Sequence, residues 1–205
     1  MARYIVFEGN DGSGKTQLSK SYAKYINAIW TYEPYGGEDL EACRIMRRSC
    51  LHDDIEPIAR EFMLLAGRSI SLSKIVKPAL ANGKNVVSDR SFISGMVYAA
   101  KEFMPFKEWY NLAFGLNIIS VLPEIVIHLV SERNTNNRPD KLAGDRYDGM
   151  SAKEYDEINN LFIKAFDFMC GQNTFESIKI IPFQVDFSLS EEQNLQRLVW
   201  VLEND

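Results

Sequence analysis

The chain's 205 residues carry 28 acidic against 23 basic side chains, a formal charge of −5, which argues against nucleic acid or an anionic membrane as the main partner. With 46% hydrophobic and 25% charged residues, the composition is that of a soluble globular protein, and the length suits one α/β domain over residues 1–205. Cys43, Cys50 and Cys170 show no C-x-x-C spacing, which argues against a disulfide framework. The chain starts in a strand pattern, without a signal-peptide pattern or an apolar run of ~18 residues, so a cytoplasmic protein with reduced thiols and no membrane partner is expected.

In chain order, residues 4–7 form a short apolar, β-prone run. Gly9-Asn10-Asp11-Gly12-Ser13-Gly14-Lys15-Thr16 follows and fits G-x-x-x-x-G-K-[ST] without a mismatch. Glycines let such a loop curl its N–H groups towards phosphate oxygens. Lys15 then reaches the β- and γ-phosphates, and the Thr16 hydroxyl can hold Mg2+. The next segment has helical spacing, so its positive end faces the same anion. The predicted ATP-binding run is therefore Gly9, Asn10, Gly12, Ser13, Gly14, Lys15, Thr16 and Gln17. Asp11 is not needed to cradle phosphate and is free to face a second substrate.

Residues 28–32 read as a second strand, ending in a Pro/Gly turn at 33–37. Residues 38–52 and 57–80 read as helices, with Pro57 in a first turn and Arg68 interrupting the second apolar face to reach a cleft. Residues 85–88 form a buried-type strand delivering Asp89 and Arg90: a carboxylate for Mg2+ and a guanidinium for a transferred phosphoryl group. Helices follow at 91–102 and 107–119, then an apolar strand at 125–130. His128 interrupts that strand as a buried histidine rather than a zinc ligand. The loop at 131–149 holds Arg133, Arg138, Lys141 and Arg146 and reads as a mobile lid whose arginines stabilise phosphoryl transfer. A helix at 151–170, an edge strand at 178–185 containing Pro182, and a helix at 190–203 capped at Ser188 or Ser190 complete the chain. Strands alternating with helices imply a parallel sheet, with ligands at the strands' C-terminal ends.

These motifs together resemble the thymidylate kinase family of P-loop nucleoside-monophosphate kinases. The resemblance rests on residues 7–16, Glu33-Pro34 with Gly36-Gly37, the stretch 62–68, residues 77–83, Asp89-Arg90-Ser91 with Ser94 and Tyr98, and residues 145–148. It implies a P-loop NTPase three-layer sandwich, a five-stranded parallel sheet flanked by helices with a short lid, that makes dTDP from dTMP with ATP and Mg2+, usually as a homodimer. By that resemblance Asp11 holds the deoxyribose 3′-hydroxyl, and Glu33 and Pro34 form a turn beside the acceptor. Arg68 bonds the thymine carbonyl, Asp89 and Arg90 serve the metal and the acceptor phosphate, and Ser94, Tyr98 and Tyr147 line the acceptor pocket. No basic residue occupies positions 10–13, so Arg133 and Arg138 are the catalytic cations beside Lys15 and Arg90, the form of the family that supplies them from its lid. The sequence departs from the family at Tyr35, inserted in the turn, at Met63, Leu64 and Leu65, where a stacking phenylalanine is usual three or four residues before the arginine, and at Ala99. These departures leave open dUMP or a 5-substituted dUMP as acceptor. A regulatory P-loop ATPase is the remaining rival.

Overall fold

The computed structural model describes residues 2–34, 40–130 and 151–204. Five parallel strands form one sheet in the order β2-β3-β1-β4-β5: β1 Tyr4–Gly9, β2 Ile29–Tyr32, β3 Val86–Asp89, β4 Ile125–Leu129 and β5 Lys179–Phe183. This is the expected sheet, with β1 at its centre and Pro182 on an edge strand, where its missing N–H costs no ladder bond. The lid expected at 131–149, with Arg133, Arg138 and Tyr147, lies outside the described residues, as do Tyr35, Gly36 and Gly37.

Both faces of the sheet are covered, and strand periodicity assigns the side chains. Ile5 and Phe7 turn to one side, where Val87, Ile127, Leu129 and Phe183 meet α1 (Lys15–Tyr25) and α8 (Glu191–Asn204). Tyr4 and Val6 turn to the other side. There the layer comprises α3 (Pro57–Ser71), α4 (Lys77–Ala81), α5 (Phe92–Glu102), α6 (Phe106–Gly115) and α7 (Ala152–Cys170), with α2 (Glu41–His52) packed on α3.

The helix expected over 57–80 is interrupted by a π-turn at Leu72–Val76, where the Lys77 N–H reaches back to Leu72 O. Pro78 supplies the reason: its ring would strike the carbonyl of Lys74 in a regular helix, and a wider turn relieves that contact. Helix starts follow local chemistry. Ser91 Oγ accepts the Ile93 N–H, Ser151 and Glu154 form a capping box, and Ser190 with Gln193 forms a reciprocal pair ahead of α8. The three cysteines are free, with Cys43 and Cys50 buried and Cys170 exposed.

Two expectations follow from the helical layer under β4. Phe162 is fully buried at its centre, so Phe162→Ala should cost about 3–5 kcal/mol in the urea unfolding free energy. His128 packs against Phe162 and Phe166 with its Nε2 buried and without a hydrogen-bond partner. Burial, aided by the charge of Lys15, holds its pKa down at about 4. Between about 6.5 and 4 the unfolded chain therefore binds more protons, and His128 withdraws stability as pH falls through that window. His128→Phe should lose less stability than the unsubstituted protein between pH 7 and pH 5, as read from urea midpoints.

Candidate active site

The loop from Gly9 to Thr16 turns where the end of β1 passes β4. A Cβ on Gly9, whose φ is +138°, would stand 2.5 Å from Leu129 O, so only glycine fits. Gly14, at φ +87°, provides the left-handed residue from which α1 starts. Lys15 folds back over the loop, donating to Asn10 O at 2.5 Å and to Ser13 Oγ at 3.5 Å. Burial and the nearby Arg90 lower its pKa to about 8, against opposing pulls from Asp11, Asp89 and Glu8. Asn10 pins the loop to α7, its Nδ2 donating to Tyr155 O at 2.8 Å and Asn159 Oδ1 at 2.9 Å. The Gln17 side chain turns to α8, donating to Glu191 at 2.6 Å.

At the end of β3, Thr16 Oγ1 donates to Asp89 Oδ2, while Asp89 Oδ1 is buried without a hydrogen-bond partner. A hydroxyl beside a carboxylate with an unused buried oxygen is a hard-oxygen donor set, and it fits Mg2+. Among the described residues no cluster of three or more His, Cys, Asp or Glu side chains offers another metal site.

Arg90 joins the loop to α5. Its Nη2 donates to Asp11 Oδ1 at 2.5 Å, and its Nη1 donates to Ser94 Oγ at 2.8 Å and Gly9 O at 3.3 Å. Burial pushes the Asp11 carboxyl up, but Arg90 and Lys15 outweigh it and hold the pKa at about 2, so Asp11 is ionised. Tyr98 OH lies 3.4 Å from Asp11 Oδ2, and its ring sits beneath the Arg90 guanidinium.

From this junction a cleft of about 490 Å³ runs to α3. Arg60, Leu64 and Arg68, one helical stripe at i, i+4 and i+8, line it together with Glu33, Pro34, Ser94 and Tyr98. Arg68 Nε donates to Glu33 Oε2 at 2.7 Å, with both side chains buried, and Nη2 donates to Ser91 O at 3.2 Å. Arg60 pairs with Glu102 at 2.6 Å. Every described residue expected from the sequence to bind ATP, the metal or the acceptor lies on the loop or on this cleft except Gln17, whose side chain is engaged elsewhere. Ala99 is buried in the core and does not line the cleft. The polar turn at 186–188 is spent on anchoring α8 through Asn194.

Two groups escaped the sequence reading. Glu8 is a fully buried carboxylate that accepts from Ser91 Oγ at 2.7 Å, Ser94 Oγ at 2.6 Å and the Ser94 N–H at 3.3 Å, and burial pushes its pKa up. Strand alternation would have placed it on the face of Tyr4 and Val6. Trp109 Nε1 donates to buried Glu61 at 2.6 Å, and its ring lies 5.6 Å from the Arg68 guanidinium; nothing local in the sequence announces that contact.

Comparison with known proteins agrees with this geometry. The family profile described as Thymidylate kinase matches residues 7–176. A thymidylate kinase of Helicobacter pylori (strain P12) is 35% identical over 160 residues, spanning 77% of this chain and 72% of that one. Two solved structures share the fold. The thymidylate kinase of Ehrlichia chaffeensis has a TM-score of 0.67 at 21% identity, with 98% of each chain covered. That of Candida albicans has a TM-score of 0.72 at 17% identity, covering 99% of this chain and 92% of the other.

Proposed function

The chain belongs to the thymidylate kinase family, and from that premise we propose that it moves the γ-phosphoryl group of ATP, with Mg2+, onto the 5′-phosphate of dTMP. The family makes the reaction a phosphotransfer that turns dTMP into dTDP. One observation carries the assignment of roles: the phosphate-loop carboxylate Asp11 is ion-paired with Arg90 at the mouth of the cleft, so the donor loop and the acceptor pocket share a wall.

On this reading, Gly9 to Thr16 cradle the donor phosphates and Lys15 leaves Asn10 O for the β- and γ-oxygens. Thr16 and Asp89 would hold Mg2+, which when bound supplies positive charge to the phosphate oxygens. Arg90 orients the acceptor phosphate, and one of its anionic oxygens attacks the γ-phosphorus while the bond to the β-phosphate oxygen breaks and ADP leaves. No protein base is required. Asp11, Ser94 and Tyr98 flank the sugar; Glu33, Pro34, Leu64 and Arg68 form the base end. Tyr147 belongs to the acceptor pocket, and Arg133 and Arg138 bring the lid's charge to the transferred group. A second acceptor, dUMP or a 5-substituted dUMP, is favoured by one observation: Leu64 lines the base end where a ring would otherwise stack.

The reading includes a cytoplasmic homodimer. No helix among the described residues is long and apolar enough to cross a membrane. Ile58 and Phe62 on α3 and Ile45 on α2 are exposed, whereas α5 is buried in the core. If α2 and α3 form the interface, Phe62→Glu should convert a dimer to a monomer by light scattering; a dimer that persists unchanged in Phe62→Glu places the interface elsewhere.

The functional test is ATP-to-ADP conversion with dTMP, dUMP, 5-hydroxymethyl-dUMP, dCMP, dGMP or no acceptor. Fast turnover is expected with dTMP, slow hydrolysis without acceptor, and loss of turnover by at least about a thousandfold in Lys15→Ala. Asp11→Ala should chiefly raise the dTMP KM. Acceptor-independent hydrolysis alone would overturn the kinase reading.

A further inference from the structure

We infer that Gly95 is a positioning residue: its missing side chain is the seat in which the Arg68 guanidinium lies, and it thereby sets the base end of the cleft. The inference builds on the reading that Arg68 meets the acceptor base.

Gly95 sits in the middle of α5 with an ordinary helical backbone, unlike the glycines at positive φ. By helix propensity alone alanine is favoured there, so the glycine has no local reason. The tertiary reason is direct. A Cβ at Gly95 would stand 2.9 Å from Arg68 Nη1, 3.0 Å from Nη2 and 3.0 Å from Trp109 Cζ2. By contrast, a Cβ on Gly67, one residue before Arg68, would meet nothing within 4 Å.

Neither neighbour can step aside freely. Arg68 is fixed through Nε to Glu33 and Nη2 to Ser91 O, and its guanidinium faces the ring of Trp109. Trp109 is fully buried and held by Glu61. A methyl group at 95 must therefore lift the guanidinium away from α5 or break its pair with Glu33.

The seat also sets what Arg68 offers. With Nε and Nη2 engaged, Nη1 remains a buried donor without a partner in a residue lining the cleft. A fixed donor selects an acceptor atom, such as the 4-carbonyl of thymine or uracil, over the 4-amino group of cytosine. Moving the guanidinium by a few tenths of an ångström misaligns that bond while leaving the phosphate end of the cleft as it is.

The test uses Gly95→Ala, Gly67→Ala, Arg68→Ala and the Gly95→Ala/Arg68→Ala double variant. For each, dTMP and dCMP affinities are measured by calorimetry without ATP, with KM, kcat and urea unfolding alongside. Gly95→Ala should weaken dTMP binding by about tenfold or more and narrow the dTMP-over-dCMP preference, on the scale of one charged hydrogen bond. Its kcat at saturating dTMP should stay within about twofold, and Gly67→Ala should match the unsubstituted protein. In the Arg68→Ala background, Gly95→Ala should cost little further affinity, because the group it displaces is gone. The seat is refuted if Gly95→Ala leaves dTMP affinity intact while Arg68→Ala reduces it, or if the two losses simply add. If Arg68→Ala itself leaves dTMP affinity unchanged, the base contact fails instead. The seat is then decided by unfolding: a destabilisation by Gly95→Ala that shrinks in the Arg68→Ala background supports it, and additive losses overturn it.

Discussion

Arg90 holds the two halves of the active site together, and it does so from a costly backbone position. Its φ of +74° is in the left-handed region that side chains other than glycine rarely occupy. The surroundings leave it no alternative. Its N–H donates to Phe7 O at 2.9 Å, its carbonyl accepts from Ser88 Oγ at 2.7 Å, and its guanidinium reaches Gly9 O, Asp11 and Ser94. Behind it, Glu8 places a carboxylate inside the sheet layer, satisfied by the first turn of α5. The phosphate loop, β3 and α5 thus share one hydrogen-bonded charge network, and strain at a single residue is outweighed by the contacts it permits.

Much of this is legible in the amino-acid sequence. The phosphate loop declares itself because its glycines, lysine and threonine must occur at fixed spacing after a strand. The starts of α5, α7 and α8 fall within one residue of expectation because Ser91, Ser151 and Ser190 are local caps. Tertiary reasons are what the linear text conceals. Glu33 and Arg68 are 35 positions apart, and nothing between them says that they pair. Gly95 reads as an ordinary helix weakness until Arg68 and Trp109 are seen against it. Pro78 announces a disturbance in its helix, but not that a π-turn at Leu72–Val76 absorbs it. Glu8 was within reach: alternation along β1 puts it on a buried face, and a buried carboxylate demands donors.

The pairing of charges along the cleft bears on how an acceptor would be oriented on the proposed roles. At the α3 end of the cleft the two arginines of that helix are each matched by an acid, Arg68 by Glu33 and Arg60 by Glu102. Such an end can offer a neutral ring directed hydrogen bonds without drawing the acceptor's phosphate into it. Elsewhere on the cleft wall Lys20 lies over the ring of Trp30, and Arg47 lies over that of Tyr32 while donating to Pro34 O at 2.6 Å; neither is in an ion pair with a described carboxylate. On the proposed roles, a nucleoside monophosphate, negative at one end and neutral at the other, would lie with its base towards α3 and its phosphate towards Arg90. The paired arginines of α3 and the Arg90–Asp11 junction would then supply the positioning that brings acceptor and donor phosphates together.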